Sequence, residues 1–179
     1  MTLRTIELNA TENNWRLFMT RKADQAFLPF QEKIFKRDDY TCQYCGFRAE
    51  QFMDAINADG NYLNNKASNL VTAFEFCAQC FFLEAIVKSD FGGCTLIYLP
   101  EMPQGDLNAL CHVLFAQMIL GGSQASSAKN IYRTLKLRSQ IVDKELGDGM
   151  SNPALYGHVM IDVQVEKKHK CELHSAIVP

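Results

Sequence analysis

The sequence predicts an α+β fold: a small cysteine-built β/α unit embedded in a mostly helical single domain. Cys42-x2-Cys45 and Cys77-x2-Cys80 are tight-turn pairs set 31 residues apart. Short segments of strand composition stand near them, and after Pro100 come long apolar stretches with helix start and stop signals.

In chain order, residues 5–18 read as a short strand or irregular arm, with a turn at 9–14. Residues 28–36 place Phe30, Ile34 and Phe35 at helical spacing, and predict a short helix feeding Arg37-Asp38-Asp39. A turn follows at 42–46 and an extended segment at 51–57, while Asp59-Gly60-Asn61 and Asn64-Asn65 are turn signals. Residues 80–87 read as helical, and TLIYL (95–99) has strand composition. Residues 106–120 suit a buried helix stopped by Gly121-Gly122. Ser126-Ser127 offer N-cap hydroxyls to one long helix reaching Leu146, which Gly147 ends. Asn152-Pro153 pairs a cap with proline at the first helical position, predicting a last helix over 153–161. Residues 1–162 form the domain; 163–179 lack sustained periodicity and read as a loosely ordered tail.

Composition narrows the function classes. A chain of 179 residues buries roughly two-thirds to 70% of its unfolded surface. With 47% hydrophobic and 21% charged residues, it has the balance of a soluble globular protein. A net charge of −2 and a pI near 6.1 disfavour a general nucleic-acid binder. MTLRTIELNATENNW has no continuous apolar core of the signal-peptide kind. CHVLFAQMIL is too short to span a bilayer, and residues 70–87 carry Glu75, Gln79, Glu84 and two metal-spaced cysteines. Seven cysteines without an export signal place the chain in the reducing cytosol, so disulfides are a poor first explanation.

Two Cys-x2-Cys pairs at this spacing suit a tetrahedral structural zinc on Cys42, Cys45, Cys77 and Cys80. Gly46 fits the turn after a knuckle cysteine, where the backbone often takes a conformation costly for residues with a Cβ. Four thiolates close the coordination shell. Such a site stabilises the fold by on the order of 10 kcal/mol or more, and it leaves no open position to activate water. Buried free cysteines are the bland alternative; a redox pair is disfavoured because neither pair opens a strand-to-helix redox motif. Cys94, Cys111 and Cys171 have no partner at metal spacing and read as ordinary buried or tail cysteines.

IFKRDDYTCQYCGF and Asn69-Leu70-Val71 resemble the His-Asn-His (HNH) nucleases over about residues 34–86. The resemblance implies a ββα metal unit and puts Asp54 at the aspartate that binds the catalytic metal. Ala55 then stands where the general base should be, and Phe81 where the family's asparagine follows the last cysteine. No histidine occurs between residues 1 and 111. Asp54 and Asp59 read as exposed turn carboxylates ahead of metal ligands. A relocated base remains the enzyme alternative, and a nucleic-acid-binding zinc protein the other.

Elsewhere, Lys129, Arg133, Lys136 and Lys144 share one side of the long helix, opposite an Ile131, Leu135, Val142 and Leu146 stripe expected to face the core. The basic stripe reads as a solvated face, or more sharply as a dock for an acidic protein segment. Phe74, Phe76, Phe81, Phe82 and Trp15 read as packing around the cysteine unit or as a partner groove, and His112 as a core histidine.

NNWRLF with RKAD, QEKIFKRDDYTCQYCGF, NLVTAFEFCAQCFF, GGCTLIYLPE, LNALCHVLF and AKNIYRTLKLRSQIVDKELG together resemble the IcmJ (DotN) family of Dot/Icm type IVB secretion systems, over about residues 13–162. The resemblance implies a non-enzymatic subunit of the type IV coupling complex with one structural zinc on the four cysteines. It implies binding to the coupling ATPase (DotL) and other coupling-complex subunits in the cytoplasm, peripherally at the inner membrane, where effectors are received. Members of that family run longer than a chain ending in EKKHKCELHSAIVP, so nothing carried by their extra region is implied here.

Overall fold

The computed structural model describes residues 2–86 and 93–162, and the strand 175–178. Residues 2–10 run as an arm without regular structure, held by backbone bonds to both cysteine turns. The Arg4 amide donates to the Gln43 carbonyl at 2.8 Å and the Asn9 amide to the Cys80 carbonyl at 2.9 Å. Expected as arm or strand throughout 5–18, the chain instead turns helical at Asn14. Helix α1 (Asn14–Ala23) buries Phe18 and Arg21. Trp15 meets Phe82 edge-to-face at 5.3 Å, so the half-buried tryptophan packs against the core. Only these few positions face inward, too sparse a pattern for periodicity to reveal the helix.

Helix α2 (Leu28–Arg37) falls within a residue of expectation, with proline in its first turn and Ile34 and Phe35 buried. Arg37 donates to the carbonyls of Ala67 and Leu70, both at 2.7 Å, and Asp38 accepts the Thr72 amide at 2.9 Å. The Arg-Asp pair thus ties the end of α2 to strand β2 (Leu70–Phe74), which runs antiparallel to β1 (Met53–Asn57). Every residue of both strands is buried.

Beyond β2 the chain forms one helical turn, α3 (Glu75–Ala78), then 3-10 turns at Gln79–Phe81 and Leu83–Ala85. The single helix expected over 80–87 is therefore broken, and Val87 lies outside the described residues. Strand β3 (Thr95–Tyr98) pairs antiparallel with β4 (Ser175–Val178), whose residues belong to the segment expected to be loose. The rest of that segment, Cys171 included, is outside the described residues.

Helix α4 (Gln104–Leu120) packs on α5 (Ala125–Leu137) around a second core of Ile97, Leu107, Cys111, Leu114 and Leu135. The long helix expected to reach Leu146 is two helices: α5, then α6 (Ser139–Leu146). Arg138 at the junction donates to the Tyr98 carbonyl at 3.3 Å and pairs with Glu101. α6 thereby turns to bury Val142, while Ile131, expected to face the core, is 46% exposed on α5. Helix α7 (Pro153–Asp162) starts as expected, its Asn152 side chain capping the Ala154 amide at 3.0 Å. It crosses the Leu83–Ala85 turn so closely that a Cβ on Gly157 would stand 2.5 Å from the Glu84 nitrogen. Among the described residues no helix is long and apolar enough to cross a membrane.

Candidate metal centre

The first knuckle is built by the way α2 ends. Asp39 and Tyr40 take left-handed conformations (φ 51° and 49°), and Thr41 bridges to Arg48. Inside that bridge the Cys42 amide donates to the Phe47 carbonyl at 2.8 Å, and the Gly46 amide to the Cys42 carbonyl at 3.0 Å. Gly46 sits at φ 76°, the glycine-favouring conformation its place after the second cysteine suggests. The Gln43 amide reaches the Thr72 carbonyl at 2.9 Å, holding the knuckle against β2. That strand leads into α3, which presents Cys77, and the next 3-10 turn carries Cys80.

Cys42, Cys45 and Cys77 are all buried, and their sulfurs lie within 4.8 Å of one another. Tetrahedral zinc holds thiolates at ~2.3 Å, which sets sulfur–sulfur separations of about 3.8 Å. Cys80 is fully buried beside them, but its thiol donates to the Phe76 carbonyl at 3.2 Å and stands outside the triad. The structure therefore brings together three of the four cysteines singled out, with the fourth one helical turn away.

The three sulfurs are linked to one another by hydrogen bonds. Hydrogen bonds from the Cys45 and Cys77 thiols pull Cys42 far below the usual thiol range, against its burial. The reciprocal bonds to Cys42 push Cys45 up to about 12 and Cys77 well above its ordinary value. Burial raises Cys80 as well. The shared hydrogen bonds favour ionisation of Cys42 over its two neighbours.

Sequence spacing did not reveal Asn108, fully buried on α4. Its amide donates to Cys77 Sγ and to the Phe76 carbonyl, both at 3.2 Å, and lies 3.9 Å from Cys80 Sγ; its carbonyl accepts from Gln104 at 2.8 Å. An asparagine inside an apolar helical run is the one signal that could have found it: a buried amide needs partners. Gly105, one turn earlier, lets α4 approach the first knuckle, since a Cβ there would be 2.6 Å from the Tyr44 carbonyl oxygen. His112 stacks on Phe47 at 4.0 Å and contacts Phe74 and Phe76. Burial holds its pKa down, so it is a neutral packing residue, as its apolar setting suggested. Cys111 is core, and the Cys94 thiol donates to Gln79 at 3.1 Å.

The nuclease-like positions are occupied differently. Asp54, expected to be an exposed turn carboxylate, is 1% exposed in β1 and pairs with Lys22 Nζ at 2.8 Å. The reason is α1, which supplies Lys22 and Arg21 over a strand buried along its length. Burial raises the Asp54 carboxyl pKa, with Lys22 opposing. Arg21 donates to the Ala55 carbonyl at 2.6 Å and to Asn57 at 2.5 Å, so a buried cation lies against the Ala55 backbone. Asp59 is an exposed turn carboxylate as expected, bonded to Asn61, Asn64 and Asn69.

No family model matches the chain. The Type 4 apparatus protein DotN of Legionella pneumophila subsp. pneumophila (strain Philadelphia 1) is 52% identical to it over 163 residues, which cover 91% of this chain and 76% of the relative. At that identity and coverage, the chain belongs to the DotN (IcmJ) family of type 4 apparatus proteins.

Proposed function

We propose that the protein is a non-enzymatic adaptor of the type IV coupling complex, stapled by one structural zinc, which binds the coupling ATPase (DotL) and supports effector recruitment. The observation that carries this reading is the 52% identity to a type 4 apparatus protein across nearly the whole chain. The buried thiol triad supports the metal, and Cys80, fully buried next to it, would supply the fourth ligand. Zinc here would supply cross-linking energy between the two knuckles, the N-terminal arm and α4. The order β1, β2, α3 around the cysteines supports descent from an HNH-type unit.

Chemistry at that unit is disfavoured by its surroundings. Ala55 offers no base, Asp54 is committed to Lys22, and His112 is stacked among phenylalanines. A cytoplasmic position, peripheral to the inner membrane through the complex, follows from the same reading. Co-purification of the full chain with the cytoplasmic region of DotL tests it, and failure to retain the ATPase counts against it. A plasmid-nicking assay with magnesium, manganese or nickel is the second arm. Cleavage abolished by Asp54→Ala would replace the adaptor reading with a nuclease.

A further inference from the structure

Helices α4, α5 and α6 enclose an open groove of about 620 Å3. Met118, Tyr132 and Leu137 line it with apolar surface, and Lys129, Arg133 and Lys136 line it with positive charge. Lys136 Nζ lies 5.7 Å from the centre of the Tyr132 ring, and Leu137 is 60% exposed. Just beyond the groove, Ile119 and Leu120 are 84% and 80% exposed at the end of α4. Exposed apolar residues gathered at one place, with charges around them, mark an interaction surface.

The charge around the groove is one-sided. No aspartate or glutamate occurs between Asp106 and Asp143, in a chain whose net charge is −2. Arg138 in that stretch pairs with Glu101, but among the described residues Lys129, Arg133 and Lys136 pair with no carboxylate. They fall at i, i+4 and i+7 of α5, a stripe about 10 Å long at ~1.5 Å per residue. A partner helix of two turns or more, with carboxylates along its flanks and leucine-like anchors between them, matches both features.

We propose that this groove docks an acidic, amphipathic segment of a partner protein. The inference rests on the adaptor reading and names the face that performs it. Nucleic acid fits less well, because three cations neutralise few phosphates.

The probe is an 18-residue synthetic helix with leucine at i, i+3, i+4 and i+7 and glutamate on its flanks, titrated into the 15N-labelled full chain. Saturable shifts are expected along α5 and at the end of α4, with none from the same peptide carrying lysine for glutamate. Arg133→Glu with Lys136→Glu should weaken binding at least tenfold. Leu137→Ala, at an exposed position, should weaken it severalfold while leaving the melting midpoint in place. No shift at millimolar peptide, or equal binding by the charge-reversed variant, overturns the proposal. Shifts in the groove from anionic vesicles or duplex DNA, with the acidic peptide silent, overturn it too. If DotL binds wild type and charge-reversed chain equally, the groove assignment falls and the adaptor reading stands. If DotL binds neither while the peptide still seats, the groove stands and the DotL reading falls.

Discussion

Replacing Gly105 by alanine adds one methyl group where helix α4 meets the first cysteine turn. The new Cβ would lie 2.6 Å from the Tyr44 carbonyl oxygen, against 3.4 Å or more for ordinary van der Waals contact. Backbone faces backbone there, so no flexible side chain can give way. Either the start of α4 lifts or the turn between Cys42 and Cys45 is pushed aside. Overpacking of this kind costs about 1–3 kcal/mol, offset by up to about 1 kcal/mol of helix propensity gained on leaving glycine. The net expectation is a loss of about 1–2 kcal/mol, which for a chain of this size lowers the melting midpoint by roughly 3–6 °C. Because Tyr44 lies between two proposed ligands, part of the strain reaches the metal. If about 1.4 kcal/mol is transmitted, zinc affinity falls about tenfold. Thermal melts and zinc competition against a chromophoric chelator read both effects. A melting midpoint that rises, with zinc affinity unchanged, would refute the close approach of α4 to the knuckle.

Cys80→Ser tests the fourth ligand: zinc per chain should fall well below one by native mass spectrometry, and undiminished zinc content would assign coordination to the triad alone. Asn108→Ala removes the amide that donates to Cys77 and should cost about 10–100-fold in metal affinity, as loss of an outer-shell partner typically does. A drop in stability without any change in affinity would make Asn108 a packing residue only. Asp54→Asn should leave thermal stability at neutral pH unchanged or raise it, because burial lifts the folded-state carboxyl pKa and the ionised form is what burial disfavours. The sign follows: wild type gains stability relative to the variant as pH falls through the folded-state pKa towards ~3.9, the unfolded value. Paired melts at pH 7 and pH 4 read the difference, and a large loss at pH 7 would show that the Lys22 pair outweighs desolvation.

Local chemistry made part of this structure readable from the chain. The cysteine pairs, the positive φ of Gly46, the proline and asparagine at helix starts, and the glycine ending α6 each act through a backbone preference or a bond a few residues long. What was hidden depends on contacts between distant segments. Asp54 reads as a turn residue in the sequence because nothing in its neighbours shows that Lys22, 32 residues earlier, pairs with it. The helix expected to run to Leu146 keeps helical propensity throughout, yet it is interrupted at Arg138, whose side chain reaches Tyr98 and Glu101. Asn108 follows the same pattern, since its function comes from a knuckle 31 residues away. Ile131 faced inward on a helical wheel, but only one side of α5 meets α4, and the wheel alone cannot place that side.

Isothermal titration of the zinc-loaded full chain into the cytoplasmic region of DotL tests the central claim most directly. Saturable heat at micromolar concentrations or below is expected, lost when the metal is stripped and the cysteine unit loosens. Absence of any heat at micromolar concentrations, from a chain shown to be folded and zinc-loaded, would contradict the adaptor assignment.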